Sequence, residues 1–227
     1  MKITKRESII RVLIIIGLIA TIILISVLTA KKDQQIDPIA NDTISLFDGK
    51  SLDNWQIFLK DSTANPDSTF FIKNGNLFSS GDPFGYIRTK DQYSDYQLLV
   101  EWRWPQEAGN SGVFLHINED NLWPVCLECQ LKSGNAGDFV CFPGFDFLEH
   151  VDMDNWAVKK MAETSEKLSG EWNSYDIRVV SDSVSIYVND VLQNIATKTS
   201  HSFGSIALQS EGAPIEFRNV FLIKKNE

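Results

Sequence analysis

Residues 96–104 read YQLLVEWRW. Tyr96, Leu98, Val100, Trp102 and Trp104 share one parity, and Gln97, Leu99, Glu101 and Arg103 share the other. A strand turns successive side chains to opposite faces, so this stretch is a strand with one apolar face and one polar face. Similar runs recur: GVFLHI (112–117), SYDIRVV (174–180), VSIYV (184–188), GSIALQS (204–210) and IEFRNVFLI (215–223). Many short strands with turn residues between them predict an all-β sandwich or barrel. Ser181-Asp182-Ser183 reads as a three-residue hairpin loop, and Asn189-Asp190 as a turn with positive φ. Asn155–Leu168 breaks the pattern; its helix formers predict a short helix in an insertion or lid.

The chain has 227 residues, 43% of them apolar, which suits one well-buried domain. Its N-terminus differs: Lys2, Lys5, Arg6 and Arg11 precede the unbroken apolar run Val12–Ala30. As a helix this run spans roughly 28 Å, about the hydrocarbon thickness of a bilayer. Residues 1–32 therefore read as a signal-anchor or signal segment. The run is longer than most signal peptides and Leu28-Thr29-Ala30 is a poor cleavage site, which favours the anchor. The cationic residues before the run put the N-terminus in the cytoplasm and export the rest, a cell-envelope location, periplasmic or extracellular. Residues 33–43 form a polar tether and 44–227 the folded domain. Six cationic and one anionic side chain lie in residues 1–32, so a formal charge of -9 becomes about -14 for the exported part. Such a surface repels nucleic acid.

The polar faces carry the candidate chemistry. Glu101 and Arg103 occupy one, Phe114 and His116 lie opposite Val113, Leu115 and Ile117 in the next run, and Glu128 and Gln130 share a face in CLECQL (126–131). Arg, His, Glu and Gln beside Phe114 and Trp123 fit a sugar site: aromatic rings stack on C–H faces while charged and amide groups bind hydroxyls. Trp123, in a loop, is the candidate platform, whereas Trp55 and Trp172 read as packing. Cys126 and Cys129, three residues apart in a strand, lie roughly 10 Å apart on opposite faces, which excludes a mutual disulfide or a zinc knuckle. The thiols read as small buried hydrophobes.

Several blocks, in order, resemble one family: LFDGKSLDNW (46–55), NGNLFSSG (74–81), GNSGVFLH (109–116), LECQLKSGNAGDF (127–139), GEWNSYDI (170–177) and GSIALQSEGAPIEFRNV (204–220). The chain is similar to the 3-keto-disaccharide hydrolases, also described as 3-keto-glucoside lyase and 2-hydroxy-glucal hydratase domains. The resemblance implies a concanavalin A-like jelly roll of two antiparallel sheets, with a concave face that holds the sugar. It aligns Glu128 and Gln130 with the family's Glu-x-Gln, Asn110-Ser111-Gly112 with its Asn-Ser-Gly, and Phe217-Arg218-Asn219 with its closing Phe-Arg-Asn. His116 stands where the family often has arginine.

Such an activity needs a base near C2 of a 3-keto sugar, a donor or cation at the C3 oxygen and an acid for the leaving group. Glu128 and His116 are the candidate bases. Arg103, Arg218 or a divalent metal ion are candidates for the enolate, with Gln130, Asn110, Gln209, Trp123 and Glu101 around the substrate. His116 with Glu128, joined by Glu101, is the candidate metal set. Glu216 and Arg218 share a parity and could pair with each other. The partners implied are a 3-keto-glycoside and the membrane, with a companion sugar 3-oxidoreductase. A non-catalytic carbohydrate-binding module on the same fold is the competing expectation.

Overall fold

The computed structural model describes residues 42–225, which form two antiparallel sheets packed face to face. The first has the order β13 (Val191–Ala196), β12 (Ser183–Val188), β11 (Asn173–Val180), β6 (Tyr96–Arg103), β15 (Ile215–Lys224), β4 (Asn76–Ser79) and β3 (Phe70–Lys73), with β1 (Thr43–Phe47) also on β15. The second runs β10 (Ala157–Val158), β9 (Phe139–Cys141), β8 (Leu127–Gln130), β7 (Gly112–Ile117), β14 (Ser205–Ser210), β5 (Gly85–Thr89) and β2 (Trp55–Leu59). Non-consecutive neighbours in both sheets give the crossed connections expected of a jelly roll. The expected anchor and all but the last two residues of the tether lie outside the described residues. Among the described residues no helix is long and apolar enough to cross a membrane.

The core lies between the sheets. Leu98, Val100 and Trp102 of β6 and Ile177 and Val179 of β11 face Val113, Leu115, Leu127, Cys129, Ile206 and Leu208 of the second sheet. Each such side chain contributes roughly 1.5–3 kcal/mol by leaving water. Tyr175 crosses this core from β11, its hydroxyl donating to the Gln130 carbonyl and accepting from Gly137 N–H at 2.9 Å. It ties the end of β8 to the opposite sheet.

Two local expectations change. Ser183 already pairs with Val180, so the hairpin loop is two residues, with Ser181 at φ 53°. Asn155–Leu168 is not a helix. Ala157 and Val158 add a strand to β9, and the chain beyond is held extended: Lys160 N–H donates to Asp138, Met161 N–H to the Gln193 carbonyl, and Asn194 Nδ2 to the carbonyls of Val158 and Lys159. These tertiary partners outweigh the helix propensity of Lys, Met, Ala and Glu.

Candidate active site

The alternation read from β6 holds, but parity assigns a side chain to a face without saying to which sheet. The chain crosses from one sheet to the other between Arg103 and Gly112, so Glu101 and Arg103 lie on the outer face of the first sheet while Glu128 lies on the outer face of the second. Arg103 makes two bonds to Glu216 Oε2, at 2.9 and 2.8 Å, and Asn76 Nδ2 adds a third at 3.0 Å. Arg218 binds Glu101 at 2.5 Å, not Glu216, because Arg218 is registered with Glu101 and Glu216 with Arg103. Both guanidinium groups stack on Trp172, at 4.7 and 4.0 Å. Glu101, Arg103 and Arg218 thus form an ion-pair ladder across the sandwich from Glu128 and do not share a site with it.

His116 also departs from its expected face. Two residues of β14, Ser205 and Ala207, span the partners Ile117 and Phe114, so β7 carries one extra residue there, and His116 takes φ 69°. The bulge puts Ile117 with Phe114 on the outer face and turns the His116 ring onto Phe145 of the inter-sheet core, 6.2 Å between centroids. Gly204 permits this: a Cβ there would lie 2.4 Å from the His116 carbonyl carbon. Burial lowers the His116 pKa to about 4, opposed only in part by the His201 backbone beside the ring. His116 and Glu128 therefore do not make the expected metal pair. Among the described residues, the His, Cys, Asp and Glu ligand atoms that converge in a set of three belong to Cys141, Asp146 and His150.

What surrounds Glu128 follows from the register of the second sheet. One row crosses it as Val140, Glu128, Phe114, Ala207, Arg88 and Gln56. The next contains Gln130, Gly112, Gln209, Tyr86 and Phe58. Beyond it, Asn110 bridges Glu211 and Gly212. Glu128 leans from the first row into the second across Gly112, where a Cβ would meet its Oε1 at 2.3 Å. The Asn-Ser-Gly segment thereby gains a physical meaning. Asn110 contributes an amide, Ser111 Oγ fastens β7 to the Gln209 carbonyl at 2.8 Å, and Gly112 leaves room for the carboxyl.

The electrostatics are those of a paired acid site. Glu128 is buried, and burial first, then the charge of Glu211, holds its pKa well above the ordinary carboxylate range. Burial also raises Glu211, opposed by the side chains of Asn110 and Gln209 and by the charge of Lys132. Glu128 Oε1, Asn110 Oδ1 and Gln209 Oε1 are buried without a partner in the protein. Gln130 sits beside them, its side-chain Oε1 already accepting from Lys132 N–H at 2.7 Å. The arrangement offers one carboxyl whose burial strongly favours its protonated form, a second that is less strongly held there, and amide groups beside them.

Segment 118–126 covers the rest of this face. Arg88 grips Asp120 with two bonds of 2.7 and 2.8 Å, and the Tyr86 hydroxyl donates toward Asp120 and accepts from Asn121 N–H at 3.2 Å. Trp123 is carried over the sheet onto Phe84 and Phe142, at 5.0 and 5.6 Å, and meets Trp156 edge-on at 6.2 Å. Trp123 and Trp156 are 46% and 43% exposed, so this wall can still receive a ring. Glu211, Trp156 and the Arg88–Asp120 clamp escaped the sequence reading. Glu211 had a legible signal, since it lies two residues after Gln209 on the same strand face. The clamp had none, because residues 88 and 120 meet only through the fold. The three cysteines are free and buried, with Cys126 on the outer face and Cys129 in the core, opposite sides as expected.

The model of one family, described as the 3-keto-alpha-glucoside-1,2-lyase-like domain, matches residues 42–223. No curated protein matches the chain. Solved structures with the same fold include a glycosyl hydrolase-like protein from Parabacteroides distasonis, with TM-score 0.60, 19% identity, and coverage of 82% of this chain and 100% of that one. A carbohydrate-binding module from Bacillus subtilis has TM-score 0.54 and 15% identity over 74% of this chain and 93% of its own. A beta-glucanase from Bacillus licheniformis has TM-score 0.52 and 15% identity over 76% and 92%. At these identities the likeness is one of fold, and this fold carries both enzymes and binding modules.

Proposed function

The chain belongs to the 3-keto-alpha-glucoside-1,2-lyase-like domain family, a carbohydrate-active group, and from that premise we propose that it cleaves 3-keto-glycosides by elimination across C1 and C2, with hydration completing a net hydrolysis. The observation that carries the reading is the set of unpartnered buried acceptors, Glu128 Oε1, Asn110 Oδ1 and Gln209 Oε1, gathered around two carboxyls of raised pKa. Buried acceptors left unpaired cost free energy, and a ligand rich in hydroxyl donors supplies what each lacks.

In the proposed reaction the ionised Glu211 takes the proton from C2, made acidic by the neighbouring C3 ketone. The electron pair of that C–H bond enters the conjugated enolate, and amide N–H donors of Asn110 and Gln209 stabilise the oxygen on which charge develops. The C1–O bond breaks as Glu128 gives its proton to the leaving oxygen, and a C1–C2 double bond forms. Water then adds across that bond, with the carboxyls in exchanged roles. This reading gives Glu128, one of the two candidate bases, the role of the acid instead, because burial and the charge of Glu211 favour its protonated form. Trp123 and Trp156 stack on the sugar or its leaving group.

The reaction belongs to the cell envelope if Val12–Ala30 exports the domain, and a sugar 3-oxidoreductase must supply the ketone. The test is release of aglycone by the full chain, purified in mild detergent, from an aryl 3-keto-glucoside and from the parent glucoside. Release from the first and not the second supports the proposal. Saturable binding of the keto sugar without release makes the protein a carbohydrate-binding module.

A further inference from the structure

On the opposite side of β9 from the proposed reaction lies a second cluster of chemically capable side chains. Cys141 Sγ, an Asp146 carboxylate oxygen and a His150 ring nitrogen lie within 4.8 Å of one another. They come from a strand end and two successive turns, closed by Phe145 N–H to the Phe142 carbonyl at 2.9 Å and His150 N–H to the Phe147 carbonyl at 3.1 Å. Cys141 N–H is fixed on the Trp156 carbonyl at 2.7 Å. Ser200 holds the Asp146 backbone at both ends: Ser200 N–H donates to the Asp146 carbonyl at 2.8 Å, and Asp146 N–H donates to Ser200 Oγ at 2.9 Å. The three groups are positioned before any ligand arrives.

The protons on His150 say more. Nε2 lies 2.9 Å from the Asn155 carbonyl, which can only accept, so Nε2 carries a hydrogen. Nδ1 then faces Asp146 Oδ1 at 3.1 Å, an oxygen that also accepts from Phe147 N–H at 2.9 Å. A lone pair on Nδ1 would oppose a carboxylate oxygen, so a positive centre, a second proton or a metal ion, belongs between them. Donation of the remote ring N–H to a backbone carbonyl is how metal-ligating histidines are oriented. A buried thiol within reach of that same point adds nothing to an ordinary ion pair and suits a soft metal.

We propose that Cys141, Asp146 and His150 form a zinc site, with thiolate, carboxylate and imidazole Nδ1 as ligands and water in the fourth position. Zinc bonds of roughly 2.0–2.3 Å put neighbouring ligand atoms about 3.3–3.6 Å apart in a tetrahedron. The nitrogen–oxygen pair, at 3.1 Å, is a few tenths of an ångström short of this, and the set of three closes with movements of about an ångström. Asp146 is exposed and gives the ion a path from solvent. On binding, the Cys141 proton, now donated to the Phe145 carbonyl at 3.0 Å, passes to solvent. The ion would staple the loop from Phe142 to Trp156, whose two ends form part of the Trp123 aromatic wall. The site lies apart from Glu128 and is independent of the reaction proposed there.

The experiment is titration of the reduced, metal-free full chain, without a histidine tag, with Co2+ and then Zn2+. The expected result is one equivalent of Co2+ with thiolate-to-metal charge-transfer absorption and four-coordinate ligand-field bands, displaced by Zn2+. Cys141→Ser should abolish the charge-transfer band, and Asp146→Asn, a change at an exposed residue, should weaken binding by at least roughly 10- to 100-fold. Near-ultraviolet circular dichroism of each variant verifies the fold. Absence of a charge-transfer band, or a band that survives Cys141→Ser, overturns the proposal. So does binding of unchanged strength in folded Asp146→Asn.

Discussion

Gly112→Ala is the most economical disturbance of the proposed reaction, because it adds one methyl group and removes no polar atom. The new Cβ would lie 2.3 Å from Glu128 Oε1 and 2.8 Å from its Cδ and Cγ. Ordinary contact begins near 3.4 Å, so the carboxyl must retreat by about 1 Å, away from Asn110 and Gln209. Overpacking of this size costs about 1–3 kcal/mol of stability. Displacement of a reacting group by 1 Å costs on the order of 100-fold in rate, since the advantage of a fixed acid depends on its position. The expected outcome is a folded protein of lower melting temperature whose kcat for aglycone release falls about 100-fold with KM little changed. Turnover within a factor of about two of the natural chain would rule out a fixed acid at Glu128, because that carboxyl could then move without consequence.

Other expectations follow from the same geometry. Glu128→Gln should abolish turnover yet raise the melting temperature at neutral pH. As pH rises through the ordinary value of 4.5 the unfolded chain ionises this carboxyl and the native one does not, so native stability falls; the variant escapes this loss, and the two melting curves should converge below about pH 4. His116→Asn should keep turnover while flattening the acid dependence of stability. The unfolded chain takes up a proton on His116 near 6.5 but the native chain only near 4, so up to about 3 kcal/mol is lost as pH falls through that window, measurable by urea melts. Trp123→Ala and Trp156→Ala should each raise KM by about 2- to 10-fold with little change in kcat. Arg103→Met with Arg218→Met should leave kcat unchanged; loss of the partly exposed Arg218–Glu101 pair costs about 0–1 kcal/mol, and loss of Arg103 costs more, on the order of 1–3 kcal/mol, because Glu216 is buried and keeps only Asn76.

The strands were legible because their signal is local. Alternation at 96–104 and 174–180 lies in the chain itself, and Asn189-Asp190 takes the positive φ its residue types favour. Glu128, Gln130, Asn110 and Gln209 could be picked out because alternation and order along the chain carry them to one face. Arg103 and Arg218 misled for a topological reason: β6 and β7 are consecutive yet belong to different sheets, and no pattern within either strand records the crossing. His116 misled for a smaller one, a single extra residue that reverses the parity of all that follows. The stretch 155–168 has helix formers but hydrogen-bonds to Asp138, Gln193 and Asn194, partners too distant in sequence for local propensity to register.

In the proposed reaction Glu211 removes the C2 proton while Glu128 delivers a proton to the leaving oxygen. This division of roles is tested most directly by comparing an aryl 3-keto-glucoside with its C2-deuterated form on the full chain, in the natural sequence and in Glu211→Gln. A primary isotope effect on aglycone release in the natural chain, and loss of release with retained sugar binding in Glu211→Gln, is the result expected. Release without an isotope effect and undiminished in Glu211→Gln would contradict it.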